Sequence, residues 1–351
     1  WSGAALGSDA GTRVSVPIES GKRQPQPLPE AEKVELTLSQ AIELALRNTL
    51  DLDVASLTYE RSAFGLGAAE GIFDPTLTAS VETSSRKSPQ TRSFQSDVSK
   101  SQSFDLGIGG LTAYGTRYSL GFGGTRSDSP TNTSIPGYVE INPTFSAGLT
   151  ASLTQPILRG FGKGVNTRLI VQSRLARDAS AWDFVASVQE VVQAVENAYW
   201  DLSYALGNLE AKKEALERAK DFNRITKIKI DVGALAPIEI VQTEVTIAQR
   251  EQEIILAEGQ IGAAQDQLKR LLNVTDVAAW NRPIVPTDRP SEEKVEIDVD
   301  AGIRMAVEGR PEVKQALIDI ESKKVSLAYN RDQLKPRLAL KGSYGLSGVG
   351  V

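Results

Sequence analysis

Gly160-Phe161-Gly162-Lys163-Gly164 has the glycine density and the lysine of a phosphate-cradling loop. A P-loop spaces its first glycine four residues from a Gly-Lys pair and follows the lysine with a Ser or Thr that reaches the metal. Here the spacing fails and Gly164 stands where the hydroxyl is needed. The acidic pairs Glu251/Glu253 and Glu292/Glu293 have the residue types of an acid–base dyad, but they lie in hydrophilic runs and read as solvated faces. Trp182, Tyr199 and Trp200 offer an aromatic platform, yet they fall on or beside an apolar helical stripe and read as packing residues. The chain has no histidine and no cysteine. That removes thiolate nucleophiles, Cys/His zinc sites, disulfides and imidazole acid–base chemistry together. The sequence therefore predicts no enzyme, no catalytic residue, no metal and no cofactor.

If the residues do no bond-making, their arrangement must carry the function. The 351 residues are 40% apolar and 24% charged, the balance of a folded protein. The net charge of −5 includes no basic stripe, so nucleic acid is not an expected partner. No run of 18 apolar residues forms a transmembrane helix, no basic n-region with an apolar h-region opens the chain, and Trp1 is no usual translation start, so the true N-terminus is expected upstream. None of this excludes a membrane β-barrel, whose strands hide their apolar residues in alternation.

Residues 1–34 are rich in Gly, Ser, Pro and charge and read as a flexible leader. Helical periodicity begins at Leu38, with Ser39 a possible N-cap, and a second helical stretch runs from about Leu52 to Glu70. The period then changes to two. Leu77, Ala79 and Val81 alternate with Thr76, Thr78, Ser80 and Glu82. Phe145, Ala147, Leu149, Ala151 and Leu153 alternate with Thr, Ser and Gly. Such strands match tilted bilayer spans of about 9–11 residues. From one strand alone, the edge of a soluble sandwich is the stronger reading. Phe104, Leu106 and Ile108, followed by Tyr118, Leu120 and Phe122, suggest a further Gly-rich hairpin over 102–125 that either joins a barrel or caps it. Residues 126–143 read as a long exposed loop.

A long helix follows from Asn166 to about Ile230, with Val185, Val188, Val192, Val195, Tyr199, Leu202 and Leu206 forming a heptad seam. After Gly233 and Pro237 a second helix runs to about Leu272, carrying Ile240, Ile247, Ile254, Ile261 and Leu268 at seven-residue intervals. This is an antiparallel helical hairpin. An offset of 261 residues then lays a second copy on the first: Ile42 on Ile303, Ala45 on Ala306, Ala55 on Ala316, Glu60 on Glu321, Leu66 on Leu327, Pro75 on Pro336 and Leu77 on Leu338. Both copies run helix, helix, proline, strand, as tandem duplication produces. Val351 falls inside the first strand of the second copy, so the chain reads as a fragment truncated in its second repeat.

In this order and spacing the chain resembles the outer-membrane factor family, the TolC-like outer membrane efflux proteins, over about residues 35–351. Four stretches carry the resemblance: Leu38–Leu46, the junction Leu153-Thr154-Gln155-Pro156-Ile157-Leu158-Arg159-Gly160, Ala198–Leu202, and Val232–Glu239 with the helix that follows. The resemblance implies a mixed α and β fold, outer-membrane β-barrel strands continued by long antiparallel coiled-coil helices. It implies a homotrimer in which each repeat gives two strands to one twelve-stranded barrel. It further implies a passive outer-membrane channel component of a tripartite efflux or type I secretion system, with a periplasmic adaptor, an inner-membrane pump and outer-membrane lipid as partners. The location is the outer membrane with a periplasmic extension.

On this reading, entry helices occupy 35–75, barrel strands and loops 76–156, the tunnel hairpin 157–273, an irregular equatorial-type connector 274–298, second entry helices 299–336, and a second-repeat strand 337–351. The resemblance assigns adaptor docking at the periplasmic tip to Gly233, Ala234, Leu235, Ala236, Pro237, Ile238 and Glu239. Pro237 and Ile238 depart from the family's commoner polar pattern, and Glu239 stands where aspartate is usual. The expected lipid-facing residues are Leu77, Ala79, Val81, Phe145, Ala147, Leu149, Ala151 and Leu153. Pro75, Pro156 and Pro336 mark strand–helix junctions, a placement that ordinary punctuation of elements explains equally well. The alternative function is a non-enzymatic coiled-coil scaffold or surface adhesion protein, which would bury the alternating strand faces in its own core. Cargo, pump and gating residues have no signature in the sequence.

Overall fold

The computed structural model describes residues 33–89, 98–130, 141–291 and 296–350. Nearly all of the leader, the middle of the 126–143 loop and the pair Glu292/Glu293 lie outside the described residues. In chain order the elements are β1 (Val34–Leu36), α1 (Leu38–Asn48), α2 (Leu50–Glu70), β2 (Thr76–Lys87), β3 (Val98–Leu111), β4 (Arg117–Asp128) and β5 (Thr144–Pro156). There follow α3 (Lys163–Asn166), α4 (Arg168–Asp231), α5 (Glu239–Leu271), α6 (Val277–Trp280), β6 (Ile284–Pro286), α7 (Val299–Gly309), α8 (Pro311–Gln333) and β7 (Ala339–Gly350). They form two compact units, one from Trp1–Glu60 and Ser180–Gln315, the other from Arg61–Ala179 and Ala316–Val351.

In the helical unit, the cap of α1 lies two residues earlier than its serine suggests. Thr37, not Ser39, is the N-cap: its extended backbone (φ −81°, ψ 159°) lets the hydroxyl accept from the Gln40 N–H while the Gln40 side chain accepts from the Thr37 N–H. Asp298 caps α7 by its side chain alone, accepting from the Ala301 N–H, with alanine where α1 has Gln40. The two helices have 11 residues each, and from Leu38 to Val299 the offset is 261 residues. Leu50 and Pro311, the first residues of α2 and α8, keep that offset.

Helices α4 and α5 run antiparallel. Lys212 Nζ donates to the Glu253 carbonyl at 3.4 Å and Thr243 Oγ1 to Asn223 Oδ1 at 2.7 Å, partners that recede from the turn at equal rates. The turn between them closes on Gly233 at φ +72°, with the Ala234 N–H donating to the Lys229 carbonyl at 2.8 Å. This left-handed C-cap is a conformation that strains any residue with a Cβ. At the far end Val34, Leu36, Ala41, Leu44, Ala45, Val195, Ala198, Tyr199, Leu202, Leu268 and Ile284 form one buried cluster.

Part of that cluster comes from the stretch expected to be irregular. Residues 274–298 contain α6 and β6, and β6 pairs in parallel with β1, Val34 opposite Ile284. Three-residue strands leave no periodic signal, which is why the sequence hides them. Their backbones are fixed by a side chain distant in sequence. The Tyr199 hydroxyl lies 3.0 Å from the Leu36 carbonyl and 3.1 Å from Asp288 Oδ2, and it accepts from the N–H groups of Thr287 and Asp288 at 3.2 Å.

In the sheet unit the strand order is β2-β3-β4-β5-β7, antiparallel throughout. The hairpin expected over 102–125 neither caps the sheet nor hangs beside it: β3 and β4 are inserted between β2 and β5 and form its centre. The first copy thus supplies four strands, not the two implied by the resemblance, and the five described strands make an open sheet rather than a closed barrel. β2 also continues past Glu82 to Lys87, where Thr83-Ser84-Ser85-Arg86-Lys87 has no apolar alternation but pairs with the equally polar start of β3.

Candidate functional site

The register places every expected strand residue on one of two chemically distinct faces. Leu77 lies opposite Ile108, Ile108 opposite Leu120, Leu120 opposite Ala151, and Ala151 opposite Tyr344. The next row is Ala79, Leu106, Phe122, Leu149 and Leu346. Directly opposed residues share a face, so these rows compose one apolar surface five strands wide, with the Phe104 and Phe122 rings 5.6 Å apart upon it. The surface is bare: Leu77 is 78% exposed and Val81 85%.

The opposite face reads Thr76-Gly109-Ser119-Ser152-Ser343 along one row and Thr78-Gly107-Gly121-Thr150-Gly345 along the next. The Ser119 and Ser152 hydroxyls hydrogen-bond at 2.7 Å, and Thr78 Oγ1 donates to the Gly107 carbonyl at 3.3 Å. Such a face offers many small dipoles and little bulk. Its charges sit toward both ends: Glu82, Asp105 and Arg86 lie away from the helices, and Arg117 and Lys341 flank Thr154 beside them.

The motif Gln155-Pro156-Ile157-Leu158-Arg159-Gly160 leads from β5 toward α3. The turn of the inserted hairpin docks on it. Gly115, buried at φ +90°, approaches so closely that an added Cβ would come within 2.4 Å of the Gly160 carbonyl. The Gly162 N–H donates to the Tyr114 carbonyl at 3.3 Å, and Asn166 Nδ2 donates to the carbonyls of Gly160 and Gly162 at 2.9 Å. Thr116 Oγ1 donates to the Gln155 side-chain carbonyl. The Gly160 N–H is held by Asp332 Oδ2 at 2.7 Å, and Lys335 Nζ donates to the same carboxylate at 2.8 Å. Burial alone would raise the Asp332 pKa, but the bonds from Lys335 and Gly160 and the charges of Lys335 and Arg159 outweigh it and hold the carboxyl below its ordinary value. The glycines that mimic a phosphate loop in the sequence therefore serve as a structural clasp.

Pro75 lies between a short 3-10 turn and β2, Pro156 is the last residue of β5, and Pro336 falls between α8 and β7. The tip residues Gly233 through Glu239 are all exposed, Ile238 by 70%. Tyr199 and Trp200 meet edge to face at 5.5 Å, so they pack rather than present a platform. Among the described residues no acidic cluster suits a metal ion, and no helix is long and apolar enough to cross a membrane. Sequence reasoning missed Asp332 and the Gly115 contact, whose partners are far apart in the chain and leave no local pattern.

Residues 117–274 match the family model described as outer membrane efflux protein. Among solved structures the chain is similar to the Campylobacter jejuni CmeC outer membrane channel, at 18% identity and a TM-score of 0.58, covering 89% of this chain and 60% of that one. It is also similar to the outer-membrane channel OprN, at 15% identity and a TM-score of 0.62, over 89% and 63% of the two chains. CusC gives 15% identity, a TM-score of 0.61 and coverage of 93% and 65%. The chain thus spans less than two thirds of the length of these channels, and at such identities the likeness establishes the fold. No curated protein matches it. Residues 117–274 are thus similar to the outer membrane efflux protein family, and the chain as a whole has the fold of these channels.

Proposed function

We propose that the protein is a passive outer-membrane export channel, closed by copies of itself, through which small molecules or polypeptides leave a Gram-negative type envelope. The observation that carries the reading is the two-faced sheet. A strand of 12 residues such as β2, at about 3.3 Å per residue and a tilt near 40°, rises about 30 Å, the thickness of the hydrocarbon core. The face with Leu77, Ala79, Val81, Phe145, Ala147, Leu149, Ala151 and Leu153 then meets lipid, and the Ser/Thr/Gly face lines water. The free edges of β2 and β7 need partners, because lipid offers none for backbone N–H and C=O groups. A homotrimer is the assembly that the family resemblance favours.

The α4–α5 hairpin then forms the periplasmic tunnel as a coiled coil, and its exposed tip, Gly233 to Glu239, is the adaptor-docking end. An inner-membrane pump supplies the energy in a tripartite efflux or type I secretion system, and the chain performs no catalysis. The matching lengths, caps and offsets of α1 and α7 support a tandem duplication. The scaffold or adhesion alternative buries the apolar strand face, and the exposure of Leu77 and Val81 argues against it. The test is planar-bilayer conductance of the full-length protein extracted from outer membranes in detergent. Discrete ohmic channels are expected. A detergent-independent soluble monomer overturns the reading.

A further inference from the structure

A cavity of about 340 Å³ opens where the polar face of the sheet meets the strand–helix clasp. Four arginines line it, each from a different segment: Arg117 opens β4, Arg159 belongs to the clasp, Arg168 opens α4 and Arg337 precedes β7. Arg117 and Thr154, which also lines the cavity, are opposed on the polar face, and Lys341 is the next residue in that row. The lining contains no aspartate or glutamate. Among the described residues none of the four arginines is in an ion pair. The carboxylate of Asp332, whose charge is felt by Arg159, is held by Lys335 and the Gly160 N–H. The Arg168 guanidinium is stacked on the Tyr329 ring with its carbon 3.8 Å from the centroid, which fixes its plane and leaves its edge donors for a ligand.

Four like charges gathered on a rigid backbone around one cavity repel one another. A multivalent oxyanion relieves that repulsion and matches the fork geometry of guanidinium. We propose that this cavity binds a phosphate-class oxyanion, and that it makes the helix-side end of the polar face an anion-preferring belt. The binding stands on the cavity alone; its place in a conduit rests on the channel reading. The phosphate comes either from a free ion or from a phospholipid headgroup. Rings of arginine or lysine are how pores favour anions.

The test uses full-length protein in detergent, titrated calorimetrically with inorganic phosphate, beside the double variant Arg117→Gln/Arg337→Gln. Both positions are exposed, so the fold and melting temperature should persist. Saturable binding by the parent, weakened at least tenfold in the variant, is the expected result. Anionic phospholipid that copurifies with the parent, is displaced by phosphate and is lost from the variant would support the proposal with a headgroup as the source. Reversal potentials in a salt gradient should shift toward cation preference in the variant. Equal phosphate affinity and equal reversal potentials in parent and variant overturn the proposal while leaving conductance, and so the channel reading, intact. Phosphate binding without conductance overturns the channel reading and leaves the site.

Discussion

Replacing Tyr199 by Phe removes one oxygen from the centre of the helical unit, and the structure shows which groups lose a partner. The side chain is 0% exposed. Burial chiefly raises the hydroxyl's pKa, and the neighbouring Asp288 carboxylate adds to that, so the group acts as a neutral donor and acceptor. Without it the Leu36 carbonyl still accepts from the Thr287 N–H at 3.1 Å, and Asp288 Oδ2 still accepts from the Leu38 N–H at 2.6 Å. The Asp288 N–H loses the acceptor it has at 3.2 Å. One orphaned donor costs about 1–3 kcal/mol and the lost hydroxyl bond about 1 kcal/mol more, so a destabilisation of about 2–4 kcal/mol is expected. At 1.36 kcal/mol per decade this is a roughly 30- to 900-fold loss of amide protection. Hydrogen exchange on the full-length protein should find that loss in β1, β6 and residues 287–288, with β2 to β5 as the internal reference. Combined with Asp288→Ala, the two changes should fall short of additive, since both act on one network. Unchanged protection at 287–288, or equal loss across the sheet, refutes the reasoning.

Three further outcomes follow from the sheet unit. Gly115→Ala sets a Cβ at φ +90° against the Gly160 carbonyl and should cost about 2–4 kcal/mol, seen as a lowered melting temperature, whereas Gly164→Ala, with open space around it, should leave that temperature unchanged. Leu149→Arg places a charge at mid-strand on the apolar face and should cost about 2–4 kcal/mol, measured as lost outer-membrane assembly; Thr150→Arg on the other face should assemble normally, and equal defects would contradict the facing. Asp332 has a depressed folded-state pKa, so its stabilisation is present above the unfolded value of about 3.9 and is lost as pH falls through the folded value. Asp332→Asn should therefore be less stable at neutral pH and lose less on acidification below about pH 4, followed by thermal melts across that range.

The long-period features were legible because their signal accumulates over many residues. The α4 seam through Val195, Tyr199 and Leu202 is buried as its heptad spacing requires, and the strict alternation of 144–154 gave β5 its correct faces. The inserted hairpin was half legible. Phe104, Leu106 and Ile108 alternate, but Gly107, Gly109, Gly121 and Gly123 supply no polar side chain to alternate with, and sheet order is a long-range property. Short elements escaped altogether. β1 and β6 are held by backbone pairing and by Tyr199, and the clasp by Gly115 and Asp332, partners separated by hundreds of residues or disguised as a nucleotide motif.

The position of the inserted strands changes what a closed assembly requires. Because β3 and β4 enter between β2 and β5, the edges of the described sheet remain β2 and β7. These two strands follow equivalent helix pairs, α1–α2 and α7–α8, and β7 already shows how such a strand is received, pairing along 12 residues with β5. If every closing contact repeats that one, the free edge of β2 takes a β5-like strand from a neighbouring copy, and each added hairpin widens the ring without altering its seams. Barrel diameter grows roughly in proportion to strand number. If the first repeat keeps its four strands and the second gives the two that the resemblance implies, a ring of three protomers has about 18 strands and a bore about one and a half times that of a twelve-stranded barrel. A bore near the twelve-stranded size in the assembled protein, measured by exclusion of neutral polymers from the open channel, would show that the inserted hairpin leaves the wall on assembly.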